Sequence, residues 1–303
     1  PKKNILVLTN QQQVESVREV LKDFPRENIV AEPEKRDTAP AVALAVGWVA
    51  ARDPNATMMV LPSDHWIQDR AAFHNSINTA CAAAQQSSAL VTIGIKPTWA
   101  CPGYGYIERG AAFEGPGLKG VYEVKQFREK PKPEIAEQYF THGGFLWNAG
   151  MFFWTVEAVR ESMAAASPEL AAFIDRLEDA KDFDAALREG FPTLPKLSLD
   201  YALMEKAPRV LNVEATFDWD DVGNWISVAA YLTEDTVGNR HNCVVSHQES
   251  GNNLVFAETG QHVALLGVQD LMIISTPDAL LVAHRSQAEK LKKLVEGLPK
   301  ELR

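Results

Sequence analysis

The feature that most limits how this chain can fold is a regular beat of strand-like and helix-like segments through its first hundred residues. Residues 5–8 form a short apolar run, Val14, Val17, Val20, Leu21 and Phe24 recur at helical spacing across 12–24, and Ile29–Glu32 is strand-like again. Thr38-Ala39-Pro40 then opens an alanine-rich helix reaching about residue 52, with Thr38 as its N-cap and Pro40 in its first turn. A strand at 57–61, a helix at 69–86 and a strand at 90–95 continue the series. Alternation of this kind predicts an α/β fold whose mostly parallel sheet carries helices on both faces.

Midway the texture changes. Gly103-Tyr104-Gly105-Tyr106 and Gly115-Pro116-Gly117 punctuate shorter strand-like pieces, including 120–127, which predicts an antiparallel excursion beside the parallel core. Helices at 133–140 and 156–166, one or two more over 168–188, and a helical turn at 199–206 then accompany a strand at 145–154. From 243 to 283 short strand-like pieces with Gly and Asn turns replace the α/β beat, and 287–298 closes the chain as an amphipathic helix. This places a large domain at 1–235 and a small β-rich tail at 236–303.

A chain of 303 residues can bury a sizeable core. Its formal net charge of −10, without any basic run, disfavours nucleic acid and anionic membrane as partners. Cys81, Cys101 and Cys243 lie far apart and form no C-x-x-C, which fits packing roles in a reducing cytoplasm. No apolar run approaches the length needed to span a bilayer, and no signal-like start precedes residue 5. The expectation is a soluble, cytoplasmic protein. The apolar pieces at 263–268 and 271–274 can pack within the tail or pair with another subunit, and a homodimer is slightly favoured.

Four clusters fall where strands end. The run at 57–61 has the pattern of a strand buried on both faces and stops at Pro62-Ser63-Asp64-His65. Ligands of open α/β sheets bind beyond the carboxyl ends of the strands, so Asp64 is placed to meet a divalent cation and phosphates; the competing role is N-cap of the next helix. His65 alone is more often a hydrogen-bonded structural residue than a ligand. The polar run from Glu32 to Pro40 sits between a strand and a helix N-terminus, a place for a nucleotide's polar edge or phosphate and equally for a solvated, capped loop. In Phe127-Arg128-Glu129-Lys130-Pro131, followed by Trp147-Asn148-Ala149-Gly150, a Glu beside a Lys can hold sugar hydroxyls and a phosphate, although alternating charges also keep an edge strand soluble. Asp218-Trp219-Asp220-Asp221 packs three carboxylates into four residues, whose mutual repulsion favours a cation site over a plain acidic loop. G-x-S-x-G, Walker A and H-E-x-x-H patterns are missing from the sequence, which sets aside covalent hydrolases, P-loop kinases and zincins; G-x-G-x-x-G occurs only at 115–120, between strand-like pieces rather than between a strand and a helix, which disfavours an ordinary dehydrogenase.

Taken in order, Glu32-Pro33-x-x-Arg36-Asp37-Thr38-Ala39-Pro40, Leu61-Pro62-Ser63-Asp64-His65, Gly103-Tyr104-Gly105-Tyr106-Ile107, Phe127-Arg128-Glu129-Lys130-Pro131, Trp147-Asn148-Ala149-Gly150-Met151-Phe152, Asp200-Tyr201-Ala202-Leu203-Met204-Glu205-Lys206 and Trp219-Asp220-Asp221-Val222-Gly223-Asn224-Trp225 resemble the mannose-1-phosphate guanylyltransferase (GDP-mannose pyrophosphorylase) family over nearly the whole chain. The resemblance implies a Rossmann-like nucleotide-sugar transferase domain with a mixed, mainly parallel central sheet, followed by a β-helix-like appendage. It is to the single-function form, since the chain stops before any cupin-type isomerase domain. The implied reaction is attack by a sugar phosphate oxygen on the α-phosphorus of GTP, with pyrophosphate leaving and GDP-mannose formed. That nucleophile is already anionic, so alignment and charge neutralisation matter more than a general base.

Carried over by resemblance, Asp64 and Asp221 hold a catalytic Mg²⁺ and Lys130 meets the phosphate of mannose 1-phosphate. Glu32 reads the base; a carboxylate accepting from both N1–H and the exocyclic amine suits guanine. Arg36, Asp37, Thr38 and Pro62 complete the nucleotide pocket, and Gly105, Glu129 and Asn148 bind the sugar. Two departures stand out. The family begins with a strand and a glycine-rich loop that hold the triphosphate, whereas this chain opens at the following strand, so an upstream segment is expected in the natural protein. Cys101-Pro102 also stands where the family often has a threonine just before the glycine. The alternatives are a pyrophosphorylase of other base or sugar choice, and a non-catalytic regulatory protein that keeps a sugar-nucleotide pocket without the triphosphate loop.

Overall fold

In the computed structural model, which describes residues 1–258 and 260–299, the chain divides into two units, Pro1–Pro62 with Gln68–Asp218, and Ser63–Ile67 with Trp219–Arg303. The first contains β1 (Val7–Asn10), α1 (Val14–Val20), β2 (Ile29–Glu32), α2 (Thr38–Ala50), β3 (Thr57–Val60), α3 (Arg70–Ser87), β4 (Leu90–Ile95), β5 (Tyr106–Ala112), β6 (Val121–Arg128), α4 (Pro133–His142), β7 (Phe145–Thr155), α5 (Val156–Ala166), α6 (Pro168–Glu178), α7 (Phe183–Gly190) and β8 (Val210–Glu214). A π-helical turn spans Asp200–Met204.

Six strands form one sheet in the order β3-β7-β4-β8-β6-β5, and β1 pairs in parallel with β2 apart from it. The sheet is mixed. Its mainly parallel character is a matter of strand direction rather than of neighbouring pairs: β3 and β4 both run antiparallel to β7 and therefore the same way as each other, and β4 pairs in parallel with β8. The long β7 enters between β3 and β4, matching Trp154 to Met58 and Phe153 to Val91, and so separates strands that the helix–strand beat would have made neighbours. The glycine-punctuated excursion supplies β5 and β6, antiparallel to each other.

Burial explains the alanine-rich helix. Most of α2, from Ala39 through Trp48, is inaccessible, so small side chains let neighbours approach on every side. At Gly47 an added Cβ would lie 2.8 Å from Leu177 of α6, which requires a glycine at this helix crossing. Three local expectations are corrected. The first strand starts at Val7 and its helix ends at Val20, short of residue 24. Strand β3 is covered on one face only, because Met59 is 53% exposed. The cap of α2 is Asp37, at φ 68°, whose carboxylate accepts the Thr38 N–H at 2.7 Å; the Thr38 hydroxyl instead accepts the Leu199 N–H at 2.8 Å.

The second unit contains α8 (Trp225–Ala229), β9 (Thr233–Glu234), β10 (Arg240–His241), β11 (Val244–Gln248), β12 (Leu254–Ala257), β13 (His262–Leu266), β14 (Leu271–Ser275), β15 (Leu280–His284) and α9 (Leu291–Glu296). Parallel pairing of β10 with β12, β12 with β14, and β11 with β13 stacks the chain into β-helix rungs. Ala229, Leu254, Met272 and Ile274 fill the interior, and the fully buried Asn239 and Asn253 bond one rung to the next. All three cysteines are free thiols. Among the described residues no helix is long and apolar enough to cross a membrane.

Candidate active site

The chain gathers its polar groups in the first unit around the N-terminus of α2. The Ala39 N–H donates to Leu197 O at 3.1 Å and the Leu199 N–H to the Thr38 hydroxyl, so the segment leading to Asp200 is tied to the polar loop before α2. Arg36 reinforces that tie. Its guanidinium donates to the Leu194 carbonyl at 3.2 Å and to the Pro192 carbonyl, and pairs with Glu34 at 2.8 Å. Its fork therefore clamps a turn of its own chain.

Beside this loop the missing side chain of Gly105 leaves a hollow against the backbone that the Glu129 carboxylate itself enters. A Cβ on Gly105 would stand 2.6 Å from Glu129 Oε2 and 3.4 Å from Asn148 Cβ, so only glycine at the head of β5 leaves room for both groups. Glu129, with its side chain 11% exposed, pairs with Lys130 at 3.4 Å, while Lys130 stands 64% exposed on a left-handed backbone at φ 42°. Burial pushes the Glu129 carboxyl upward against the opposing pull of Lys130, with Glu205 and Asp37 adding to the rise. Asn148 joins the hollow from β7: its Oδ1 accepts from the Thr92 hydroxyl at 2.9 Å and the Gly150 N–H at 3.2 Å, and its Nδ2 donates to Asp200 at 3.2 Å. Gly150, at φ 67°, turns the chain next to Pro62, whose Cγ lies 3.7 Å from the place of a Gly150 Cβ.

Glu32 ends β2 opposite Asn10. Burial raises its carboxyl to about 6, so it carries full negative charge only above that pH.

The second unit holds Asp64 and Asp221. The Trp219 indole, which can only donate, gives its N–H to His65 Nδ1 at 3.0 Å, which places the imidazole proton on Nε2. Burial lowers the His65 pKa, opposed by the negative charge of Asp64, Asp221 and Asp220. Backbone N–H groups relieve part of the crowding that the sequence implies: Asp220 accepts from Val222 at 2.7 Å and Asp221 from Gly223 at 3.2 Å. In the first unit Asp218 accepts from Asp69 at 2.8 Å and Gln68 at 2.9 Å, which holds its pKa down. The cap of α3 is Asp69, not Asp64.

Residues 2–236 match the family described as Nucleotidyl transferase. The chain belongs to the nucleotidyl transferase family. Residues 242–298 match the MannoseP isomerase/GMP-like beta-helix domain. This nucleotidyl transferase chain is 35% identical over 302 residues to "Mannose-1-phosphate guanylyltransferase" of Escherichia coli strain K12, covering 97% of this chain and 63% of that protein. It is 36% identical over 275 residues to "Xanthan biosynthesis protein XanB" of Xanthomonas campestris pv. campestris strain B100, covering 89% and 57%. The chain thus spans about three fifths of the length of these curated relatives. A crystal structure from Thermus thermophilus described as "mannose-1-phosphate geranyltransferase" superposes with a TM-score of 0.85 at 30% identity, covering 98% of this chain and 84% of that one.

In this candidate site, two acids are not singled out as site residues by the sequence, although both lie in the motif Asp200-Tyr201-Ala202-Leu203-Met204-Glu205-Lys206. Asp200 and Glu205 stand five apart, and the π-type bond from the Glu205 N–H to Asp200 O at 2.9 Å puts both on one face of the turn. Glu205 accepts the Glu129 N–H at 3.2 Å. Burial raises Asp200 to about 7, with Glu129 the next contributor. A spacing of five carries no signal under a 3.6-residue period, which is why the pair is not visible as a face in the sequence.

Proposed function

We propose that this chain transfers GMP from GTP to mannose 1-phosphate, giving GDP-mannose and pyrophosphate. The observation that carries the reading is the Gly105 hollow. The Glu129 carboxylate and Asn148 meet at Gly105, and Lys130, paired with Glu129 at 3.4 Å, stands 64% exposed beside them. Carboxylates repel a phosphate and accept hydroxyl protons well, so the sugar hydroxyls enter and the phosphate stays with Lys130. The names carried by the relatives support mannose as the sugar.

Mg²⁺ fits Asp64 and Asp221. It is usually held by one or two carboxylates together with substrate phosphates and water, and these two carboxylates act on the same His65 ring. Among the described residues no group of three or more His, Cys, Asp or Glu could hold a metal, so Asp64 and Asp221 would hold the ion together with substrate phosphates and water. When bound, the ion neutralises charge on the phosphates. The chain's own residues align the partners: Glu129 and Asn148 orient the sugar, Lys130 faces its phosphate, and Glu32 accepts from guanine N1–H and the exocyclic amine. Pyrophosphate release from GTP and mannose 1-phosphate by the natural full-length protein tests the reading; binding of GDP-mannose without turnover would overturn it. The location is read as cytoplasmic.

Glu32→Gln is expected to weaken GTP roughly tenfold relative to ATP, because an amide cannot accept from two donors as a carboxylate does and charged hydrogen bonds contribute about 1.5–3 kcal/mol. The pH dependence has a definite sign. With its pKa raised to about 6, Glu32 is charged above that value, so the guanine preference of the unsubstituted chain falls as pH drops through about 6, while the variant shows no such step. Competition between GTP and ATP across pH 5–8 checks both.

Gly105→Ala is expected to fold and to raise KM for mannose 1-phosphate about tenfold or more, since the new methyl must displace Glu129 Oε2 from 2.6 Å. KM for GTP should stay unchanged; steady-state kinetics with each substrate varied in turn checks it.

A further inference from the structure

Asn148 has little freedom in what it can offer a ligand. Its Oδ1 accepts the Gly150 N–H at 3.2 Å and faces the Thr92 hydroxyl at 2.9 Å, whose one proton it shares with the Met151 carbonyl at 3.1 Å. The Gly150 N–H can only donate, so it fixes which end of the amide is oxygen. One Nδ2 hydrogen goes to Asp200 Oδ1 at 3.2 Å. What remains is the second Nδ2–H, a single donor on a residue whose Cβ lies against Gly105, where Glu129 Oε2 also approaches.

Asp200 is a costly group to keep there. It is partly buried among Glu129, Glu205 and Lys130, and burial together with Glu129 opposes its ionisation. It does not cap an α-helix; its side chain reaches instead across from a π-helical turn, a backbone distortion found often at functional sites, to the Asn148 amide. An acid kept at such a cost, and bonded to a residue of the sugar hollow, has its explanation in that residue.

We propose that Asp200 is a positioning residue for the sugar site: its carboxylate holds the Asn148 amide so that the second Nδ2–H is presented to a hydroxyl of the sugar phosphate. The inference rests on the sugar 1-phosphate reading given above and adds a residue to it. A hydroxyl bound at this point accepts from Asn148 and donates to Glu129, so both of its functions are used. A hydroxyl in the wrong configuration meets the amide donor with a C–H and leaves Glu129 without its hydroxyl donor.

The test is a double-mutant cycle on the natural full-length protein, with KM for mannose 1-phosphate measured at saturating GTP. Asp200→Ala is expected to raise that KM about tenfold, with KM for GTP unchanged and kcat reduced much less. Asp200→Asn keeps an acceptor and should recover most of the loss. In an Asn148→Ala background the Asp200→Ala effect should disappear, which a residue acting only on stability would not produce. Asp200→Leu, similar in size and free of the buried charge, serves if the alanine variant does not fold. An unchanged KM, or an equal rise with and without Asn148, overturns the inference while leaving the guanylyltransferase reading in place. An unsubstituted protein that neither turns over nor binds any hexose 1-phosphate overturns both.

Discussion

Asp221→Asn is expected to leave the fold intact and to lower pyrophosphate-releasing turnover at limiting Mg²⁺ by roughly a hundredfold or more, since even residues that merely support metal ligands cost 10–100-fold when changed. The fold survives because the Asp221 hydrogen bond to the Gly223 N–H, at 3.2 Å, can be made by an amide oxygen, and the substitution is isosteric. Neutralising one of the carboxylates around His65 also relieves repulsion. What is lost is one charged oxygen ligand of a hard cation, for which an amide is a weaker donor. Raising Mg²⁺ should restore part of the rate. Asp218→Asn provides the contrast: Asp218 holds the Gln68 and Asp69 N–H groups ahead of α3, so that variant should lower the melting temperature and leave the Mg²⁺ dependence alone. Turnover of Asp221→Asn equal to the unsubstituted protein at low Mg²⁺ would remove Asp221 from the metal site.

Much of this architecture is legible in the sequence because periodicity follows burial. The strands at Ile29–Glu32 and Leu90–Ile95 and the helix at Val156–Ala166 appear where apolar spacing places them, and the Gly-rich break before Tyr106 marks the turn to antiparallel pairing. Sheet order is another matter. Strand β7 reads as one more strand in a series, and nothing local tells it to insert between β3 and β4; that depends on Phe152 and Trp154 fitting a core assembled from distant helices. The cap of α2 falls one residue earlier than its sequence suggests because Asp37 adopts φ 68°, a backbone state that the Asp-Thr pair does not announce.

Among site residues the sequence is most informative where one residue type has one use. Gly105 matters through its missing Cβ, and Glu129 through the space this opens. It is least informative where a residue works through another. Arg36 resembles a nucleotide-binding residue, yet its guanidinium is engaged with the carbonyls of Pro192 and Leu194, far along the chain. Asp200 looks like an ordinary helical acid until the π-helical turn and Asn148 are seen together.

Asn253→Leu is expected to destabilise the second unit by about 3–5 kcal/mol, a large share of the net stability of an ordinary domain. Asn253 is fully inaccessible and bonds three ways between rungs. Its Nδ2 donates to Asn239 Oδ1 at 2.9 Å and to Val268 O at 3.1 Å, and its Oδ1 accepts the Leu271 N–H at 3.0 Å. Leucine fills the same volume but strands the Leu271 N–H away from water at about 1–3 kcal/mol, and removes two further bonds, to Asn239 Oδ1 and to the Val268 carbonyl, which keeps the Gly251 N–H at 3.2 Å. Asn253→Asp separates packing from polarity. It can still accept from Leu271, but it turns the donor that faced Asn239 Oδ1 and the Val268 carbonyl into a third acceptor, and at neutral pH it buries a charge. The aspartate should therefore be worse than the leucine at pH 8, and the gap should narrow as pH falls and the acid takes a proton that it can donate to one of those oxygens. Chemical denaturation followed by the fluorescence of Trp225, which packs on Phe256 with ring centroids 5.1 Å apart inside this unit, reads both variants. If leucine is tolerated within about 1 kcal/mol, the rungs are held by their apolar interior and strand pairing, and the asparagines contribute register rather than stability.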